Sequence, residues 1–546
     1  MRKKPHIIIF NPDQMQNDSL GHMGANQAAL TPFLDKFAEF DAVSYRNAFC
    51  QNPVCVPSRC SFMTGLYPHV NGHRTMRHML HDHESSIFSE LKAAGYYVWM
   101  NDRNDFLPGQ IENVFDKHAD EVFYGGESKP APGPYNENPR GTAGDKHYYS
   151  HFTGKLKTDE TGRNYNSDDE VVDAAIARIA EGTGDKPLCM FLGLMYPHPE
   201  YGVEEPYFSS INRSLLRKRA VERIGQVPEP LIESMIRENQ GMSGFTEEDW
   251  DELRACYLGM CLKVDDQFKR LCQALKDAGI YDDSAIFFFS DHGDYQGHFG
   301  LTEKNQNTFY DSLVKVPLLI KPPKDVELDA GISDSIVELV DFYATAMDMA
   351  GVNPDHTHFG RSLRESIGDR SIPVREYACC EGGRLAGEIH CDESHATGIN
   401  GVDPLNNYWP RLKAEENDVA HTKATMLRTK DYKYIRRLYE EDQLFDLKND
   451  PYEQENIILN PDMGVILADL RLKMLDWYQS TSDIVPFRYD DRFTFEMKWS
   501  KLKGMCPIEI ADEVKAIARN SSKPMPLLIR DLNSYIREWE ENNGKA

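Results

Sequence analysis

No Cys-x-x-Cys pair occurs in the 546 residues, and the eleven cysteines are odd in number and scattered. A disulfide framework and a zinc ribbon are therefore not indicated. No stretch approaches the ~20 apolar residues a membrane helix needs. The opening Met1-Arg-Lys-Lys-Pro is followed only by the short run His6–Phe10, without a small-residue cleavage site. The expectation is a cytoplasmic protein whose first β-strand starts almost at once. Excess positive charge is also missing: 61 Lys and Arg face 87 Asp and Glu, a net charge of −26. That argues against gripping nucleic acid or an anionic membrane by the general surface, while leaving room for a local basic pocket. Low-complexity tracts and internal repeats are absent. With 40% hydrophobic and 11% aromatic residues, a large buried core is affordable and disorder is excluded.

What is present is alternation. Apolar strand-like runs at His6–Phe10, Tyr96–Met100, Leu188–Leu194, Ala285–Phe289 and Val316–Ile320 are interleaved with helical patterns. The helices are expected over Pro32–Phe40 with Thr31 as N-cap, Ser85–Ala94, Ser167–Ala180, Glu247–Ala278 and Ser335–Ala350. Such alternation predicts an α/β fold with a mostly parallel central sheet covered by helices on both faces. After about Pro373 the pattern shifts to shorter alternating segments, Thr425–Ile435 and Gln443–Leu447 about a charged turn at Glu440–Asp442. These predict a smaller antiparallel sheet. The expected division is residues 1–375 as the catalytic α/β domain, 376–485 as a smaller α+β subdomain and 486–546 as an extension.

Ligands of open α/β sheets collect beyond the carboxyl ends of the strands. Two strands run there into polar residues: His6–Phe10 into Asp13-Gln14, and Ala285–Phe289 into Asp291-His292-Gly293-Asp294. Carboxylates with an amide oxygen suit Ca2+ or Mg2+, and a histidine admits Mn2+ or Zn2+. Between them lies Cys55-Val-Pro57-Ser58-Arg59, with Met63-Thr64-Gly65 beyond. Pro57 suits a first helical turn, which places Cys55 at a helix N-terminus and Arg59 one turn on, facing the same way. An anion fits there. The plainer alternative is an inert buried cysteine beside an arginine.

The conjunction Cys55-x-Pro57-Ser58-Arg59 with Met63-Thr64-Gly65 resembles the signature of the type I, formylglycine-dependent sulfatase family, in the alkaline-phosphatase-like superfamily. Asp13-Gln14, Tyr196-Pro-His198-Pro199, Ser290–Asp294, Lys304 and the closing stretch from Asp431 to Pro451 occur in the family's order. The resemblance implies a three-layer α/β/α sandwich and hydrolysis of a sulfate monoester to an alcohol and inorganic sulfate. It implies that Cys55 is oxidised to formylglycine by a separate maturation enzyme. One hydroxyl of the hydrate would attack sulfur, and the second would expel sulfate. A divalent cation, Ca2+ in most relatives with Mn2+ or Mg2+ admissible, would be held by Asp13, Gln14, residue 55, Asp291 and His292. Arg59 would hold the hydrate, His198 would contact sulfate and assist departure of the alcohol, and Lys304 would stabilise the leaving oxygen.

Two positions depart from the family pattern. Gln14 stands where many relatives carry a second aspartate. Arg103 and Asp105 fall where relatives usually carry a lysine and a histidine facing sulfate, which makes both candidate substrate contacts. His73, Arg74 and His78 belong to a histidine-rich stretch expected at the rim of the site, as further substrate contacts. The alternatives are a phosphonate or phosphate monoester hydrolase on the same scaffold, or a non-catalytic binding protein whose Cys55 stays a thiol. The expected partners are a small sulfate ester and a formylglycine-generating enzyme, with the extension after Pro486 suspected at a homo-oligomer interface.

Overall fold

The computed structural model describes residues 4–126, 131–135, 139–221, 223, 227–390, 403–487, 492–521, 523 and 525–545. Fourteen strands are described: β1 (His6–Asn11), β2 (Val43–Phe49), β3 (Tyr97–Asn101), β4 (Glu121–Phe123), β5 (Phe152–Lys155), β6 (Leu188–Gly193), β7 (Tyr201–Val203), β8 (Ser284–Phe289), β9 (Leu318–Lys321), β10 (Gly331–Glu338), β11 (Tyr377–Gly382), β12 (Ala424–Thr429), β13 (Tyr432–Arg437) and β14 (Gln443–Asp446). Eight of them form a central sheet in the order β10-β2-β9-β8-β1-β6-β3-β4. Every pairing is parallel except the two made by β9, which runs against both β2 and β8. The central strands β1, β6 and β8 are buried on both faces. That is why they read as unbroken apolar runs rather than alternating ones.

Helices cover both faces. One face carries the 31-residue helix Glu247–Asp277 with the helices Pro32–Phe40 and Ser167–Glu181. The other carries Cys55–Thr64, Ile87–Ala93 and Val340–Ala350. The three-layer sandwich is therefore present. The antiparallel sheet β11-β12-β13-β14 is separate in hydrogen bonding, yet Cys380, Met426, Ile435 and Phe445 share a core with the central sheet. The two sheets thus divide by strand pairing and not by core.

Several local expectations are corrected. Thr31 precedes its helix, but its hydroxyl donates to Asp35 (2.9 Å) and leaves the helix end uncapped. Asp265, from the long helix, accepts instead from Phe33 N (3.0 Å) and Leu34 N (2.7 Å), so the cap is tertiary. Asn166 caps the helix Ser167–Glu181 through Asp169 N. Ser335–Glu338, expected as helix, closes strand β10: Ile336 and Val337 pair with β2, and β-branched side chains favour that buried position. Thr425–Ile435 is a hairpin of two strands turning at Lys430-Asp431.

Residues 485–546 form a second compact unit. Its helices Phe495–Leu502, Ala511–Asn520 and Met525–Asn542 bury Leu502, Val514, Leu528, Leu532 and Ile536 against one another. Among the described residues no helix is long and apolar enough to cross a membrane, and the ten described cysteines are all unpaired.

Candidate active site

The carboxyl ends of β8, β1, β6 and β3, four neighbours in the sheet, release the loops that carry Asp291-His292, Asp13-Gln14, His198 and Arg103-Asp105. Close backbone approach makes this crowding feasible. A Cβ on Gly193, at the end of β6, would lie 2.3 Å from the Arg103 carbonyl. One on Gly293 would lie 2.0 Å from the Ser312 carbonyl. Neither position tolerates a side chain. Backbone strain gathers here too: Gln14, Asp105 and Glu303 hold φ of +67°, +56° and +68°.

Cys55 opens the helix Cys55–Thr64, every residue of which is buried. Its Sγ lies 3.1 Å from His292 Nε2 and 3.7 Å from Asp13 Oδ1. His292 Nδ1 faces the Gly293 carbonyl at 3.0 Å, so that nitrogen carries the hydrogen and Nε2 keeps a lone pair. The lone pair looks at Asp13 Oδ1 (3.6 Å) and Asp291 Oδ1 (3.9 Å). One ligand atom from each of Asp13, Cys55, Asp291 and His292 lies within 4.8 Å of the others. Converging lone pairs with only a thiol hydrogen among them fit a cation, and the His292 hydrogen bond fixes the tautomer a metal ligand needs.

Gln14 lies beside this group, its backbone N donating to Asp291 Oδ1 (3.1 Å). Its Nε2 donates to Asp294 Oδ2 (2.6 Å), while its Oε1 accepts from Lys304 Nζ (2.6 Å). Asp294, pushed up to about 6 by burial, also accepts from the Tyr201 hydroxyl. Asp294 was not among the expected site residues, although it closes the Asp-His-Gly-Asp run. It orients the amide that the sequence alone could only name.

Arg59 lies wholly inside. Its Nη2 donates to Asp13 Oδ2 (2.8 Å) and its Nε to Asp291 Oδ2 (2.9 Å), tying together two strand ends nearly 280 residues apart. Arg103 Nη2 donates to the same Asp13 oxygen (2.6 Å) and its Nη1 to the Leu194 carbonyl (2.8 Å). Burial alone would raise the Asp13 carboxyl, but Arg103, His198 and Arg59 overcome it and hold it well below its ordinary value. The Cys55 thiol is pushed well above its ordinary value, by burial first and then by Asp13. In this state it is a poor thiolate former.

His198 sits on a turn pinned by Asp168, whose carboxylate accepts from Met195 N and Tyr196 N, each at 2.8 Å. Its Nδ1 donates to the Pro199 carbonyl (2.6 Å). Burial and then Lys304 depress its pKa to about 3, so the ring is neutral and offers Nε2 as an acceptor. Lys304 is held protonated well above its ordinary range by the Glu303 and Asp13 carboxylates against the pull of burial; Glu303 lies 2.9 Å away.

The histidine-rich stretch has other partners. His73 contacts the buried Glu84 carboxylate (2.9 Å) and the His78 carbonyl. Arg74 donates to Glu388 (2.7 Å), and His78 meets the Thr75 hydroxyl. These contacts order the loop itself; the structure does not bring the three side chains into the Cys55 cluster.

Residues 5–352 match the sulfatase family model. The chain is 25% identical to arylsulfatase K of Danio rerio, covering 91% of this chain and 88% of that protein. It is 24% identical to choline-sulfatase of Rhizobium meliloti (strain 1021), covering 88% of each. Its fold superimposes with a TM-score of 0.67 on the phosphonate monoester hydrolase of Agrobacterium radiobacter, at 19% identity, over 88% of this chain and 96% of that one. The site and sheet thus belong to a sulfuric ester hydrolase of alkaline-phosphatase-like fold. The chain is a member of the sulfatase family.

Proposed function

We propose that the protein hydrolyses a small sulfate monoester at residue 55, after a maturation enzyme has converted Cys55 to formylglycine. The observation that carries this reading is the buried convergence of Cys55 with Asp13, Asp291 and His292 under Arg59 and Lys304. Formylglycine supplies, as its hydrate, one hydroxyl to attack sulfur and a second whose deprotonation releases sulfate. Asp13, Gln14, Asp291, His292 and residue 55 would hold a divalent cation, Ca2+ first, which polarises the nucleophile and the sulfate oxygens. Arg59 orients the acidic ligands and faces the anion. His198, neutral, accepts a hydroxyl hydrogen through Nε2. Lys304 keeps its proton and faces the departing alcohol oxygen, so assistance to the leaving group falls to it and not to His198. Unpaired cysteines suit a cytoplasmic setting, and residues 486–546 are the candidate contact in a homo-oligomer.

Two measurements test the core of this reading. Mass spectrometry of the peptide carrying residue 55, from protein made beside a maturation enzyme, should show the aldehyde in place of the thiol. Rates on matched aryl sulfate and aryl phosphonate esters should favour sulfate; dominance of phosphonate by orders of magnitude would transfer the assignment to a phosphonate hydrolase. That second reading is physically coherent because both esters are monoanions about a tetrahedral centre.

Lys304→Ala is expected to slow esters of poorly leaving alcohols about 10²–10⁴-fold and aryl esters much less. Equal losses across leaving groups would contradict its role. Chelation is expected to abolish turnover and lower stability together. Restoring Ca2+ to about a hundredfold over its dissociation constant should return roughly 2.7 kcal/mol of unfolding free energy. An unfolding curve indifferent to Ca2+, Mg2+ and Mn2+ alike would sink the metal site.

A further inference from the structure

Every cation in the site has a carboxylate beside it, and one of those carboxylates differs from the rest. Asp13 and Asp291 are fully enclosed and Glu303 shows 4% of its side chain, but Asp105 shows 34%. Its Oδ2 stands 3.8 Å from Arg59 Nε and 3.8 Å from Arg103 Nη2. At that distance it lowers the positive field of both guanidiniums without locking either in a short ion pair. Its charge also reaches Cys55, where it adds to the upward push on the thiol. Asp105 is thus a fixed negative charge at the open edge of the site, against the two arginines an anion would meet.

We propose that Asp105 sets the charge class of the substrate, admitting monoanionic esters and weakening the hold on dianions. The proposal rests on the reading of the site given above. Sulfate and phosphate monoesters share a tetrahedral outline and hydrogen-bonding geometry, so shape discriminates poorly between them. At pH 8 they differ by about one unit of charge, since a phosphate monoester loses its second proton near pH 6. One unit charge a few ångströms from a bound anion, at an effective dielectric of about 20, shifts affinity by roughly tenfold or more. The released inorganic sulfate is itself a dianion, so the same carboxylate hastens product departure. A lysine and histidine pair at these positions would hold dianions more firmly.

The test is Asp105→Asn in the mature enzyme. Asparagine keeps the shape and accepts the left-handed backbone at φ +56°, and Asp105→Gly is a second neutral variant that accepts the same backbone without a side chain. The kcat/KM for an aryl phosphate relative to an aryl phosphonate monoester of the same leaving group is expected to rise about tenfold or more at pH 8. The calorimetric Kd for inorganic sulfate is expected to fall by a similar factor. Asp334→Asn, which removes a well-exposed charge paired with Arg46 outside the site, should change neither. If either quantity stays within twofold of the parent in both folded Asp105 variants, the proposal is overturned. Should the parent turn over no ester at all, the sulfatase reading fails by itself, and the inorganic sulfate Kd still decides the role of Asp105.

Discussion

Cys55→Ala is expected to lower kcat/KM for sulfate esters by at least about 10⁴-fold, the scale on which loss of a covalent nucleophile is felt. Little else in the site can take its place. The Ser58 hydroxyl donates to the Asp291 carbonyl (2.7 Å) and the Ser290 hydroxyl to the His292 carbonyl (3.0 Å), so both are committed to the loop. Water activated at the same site would lack the second hydroxyl that, in the proposed reaction, lets the ester bond to the enzyme collapse. Protein in which residue 55 remains a thiol should be nearly as inactive as the alanine variant. Burial and the Asp13 carboxylate suppress its thiolate, and a thiol offers no hydrate. The measurement is a paired rate comparison of the alanine variant, the unconverted protein and the converted protein, with the converted fraction read by peptide mass. Activity in the unconverted protein that scales with free thiol would contradict the nucleophile proposed.

Arg59→Met is expected to destabilise the metal-free protein by about 3–5 kcal/mol and to remove activity with it. Methionine fills much of the volume, so the loss is electrostatic more than steric. Asp13 and Asp291 would then face each other in a dry interior, held by Arg103 and by backbone donors alone. The cost is that of uncompensated buried charge, not the net worth of the pairs. Divalent cation should recover part of the lost stability, because it supplies positive charge between the same carboxylates, yet it should not recover turnover. Chemical denaturation with and without Ca2+ measures both terms. A change under about 1 kcal/mol in metal-free protein would mean that the two acids are protonated or relaxed apart, against the depressed carboxyl of Asp13.

Much of this site was legible because short-range rules and a strand-end rule coincide. Pro57 in the first turn and Gly65 in the left-handed region after the last bracket the helix that presents Cys55 and Arg59. Asp13 and Asp291 each follow an unbroken apolar run, the mark of a strand buried on both faces. What was not legible depended on partners far along the chain. Thr31 looks like a cap in isolation, but Asp265 supplies the carboxylate. Ser335–Glu338 runs without a break into a true helix, and only pairing with β2 makes it strand. Asp294 orients Gln14 and Glu303 pairs with Lys304 across loops whose paths no local pattern specifies. The loop of His73, Arg74 and His78 invited a substrate role by composition, whereas the carboxylates of Glu84 and Glu388 engage two of its side chains.

The wholly buried helix that begins at Cys55 also bears on when the proposed conversion could take place. The Cys55 residue is only 4% accessible, and the carboxylates and histidine around it arrive from strands as distant as residue 291. A second enzyme that had to bind the surrounding peptide to oxidise that one side chain, as proposed for Cys55, would find no exposed segment once the sheet has closed. The proposed conversion would therefore fall on the nascent or unfolded chain, with folding as its deadline: a copy that collapsed first would keep its thiol.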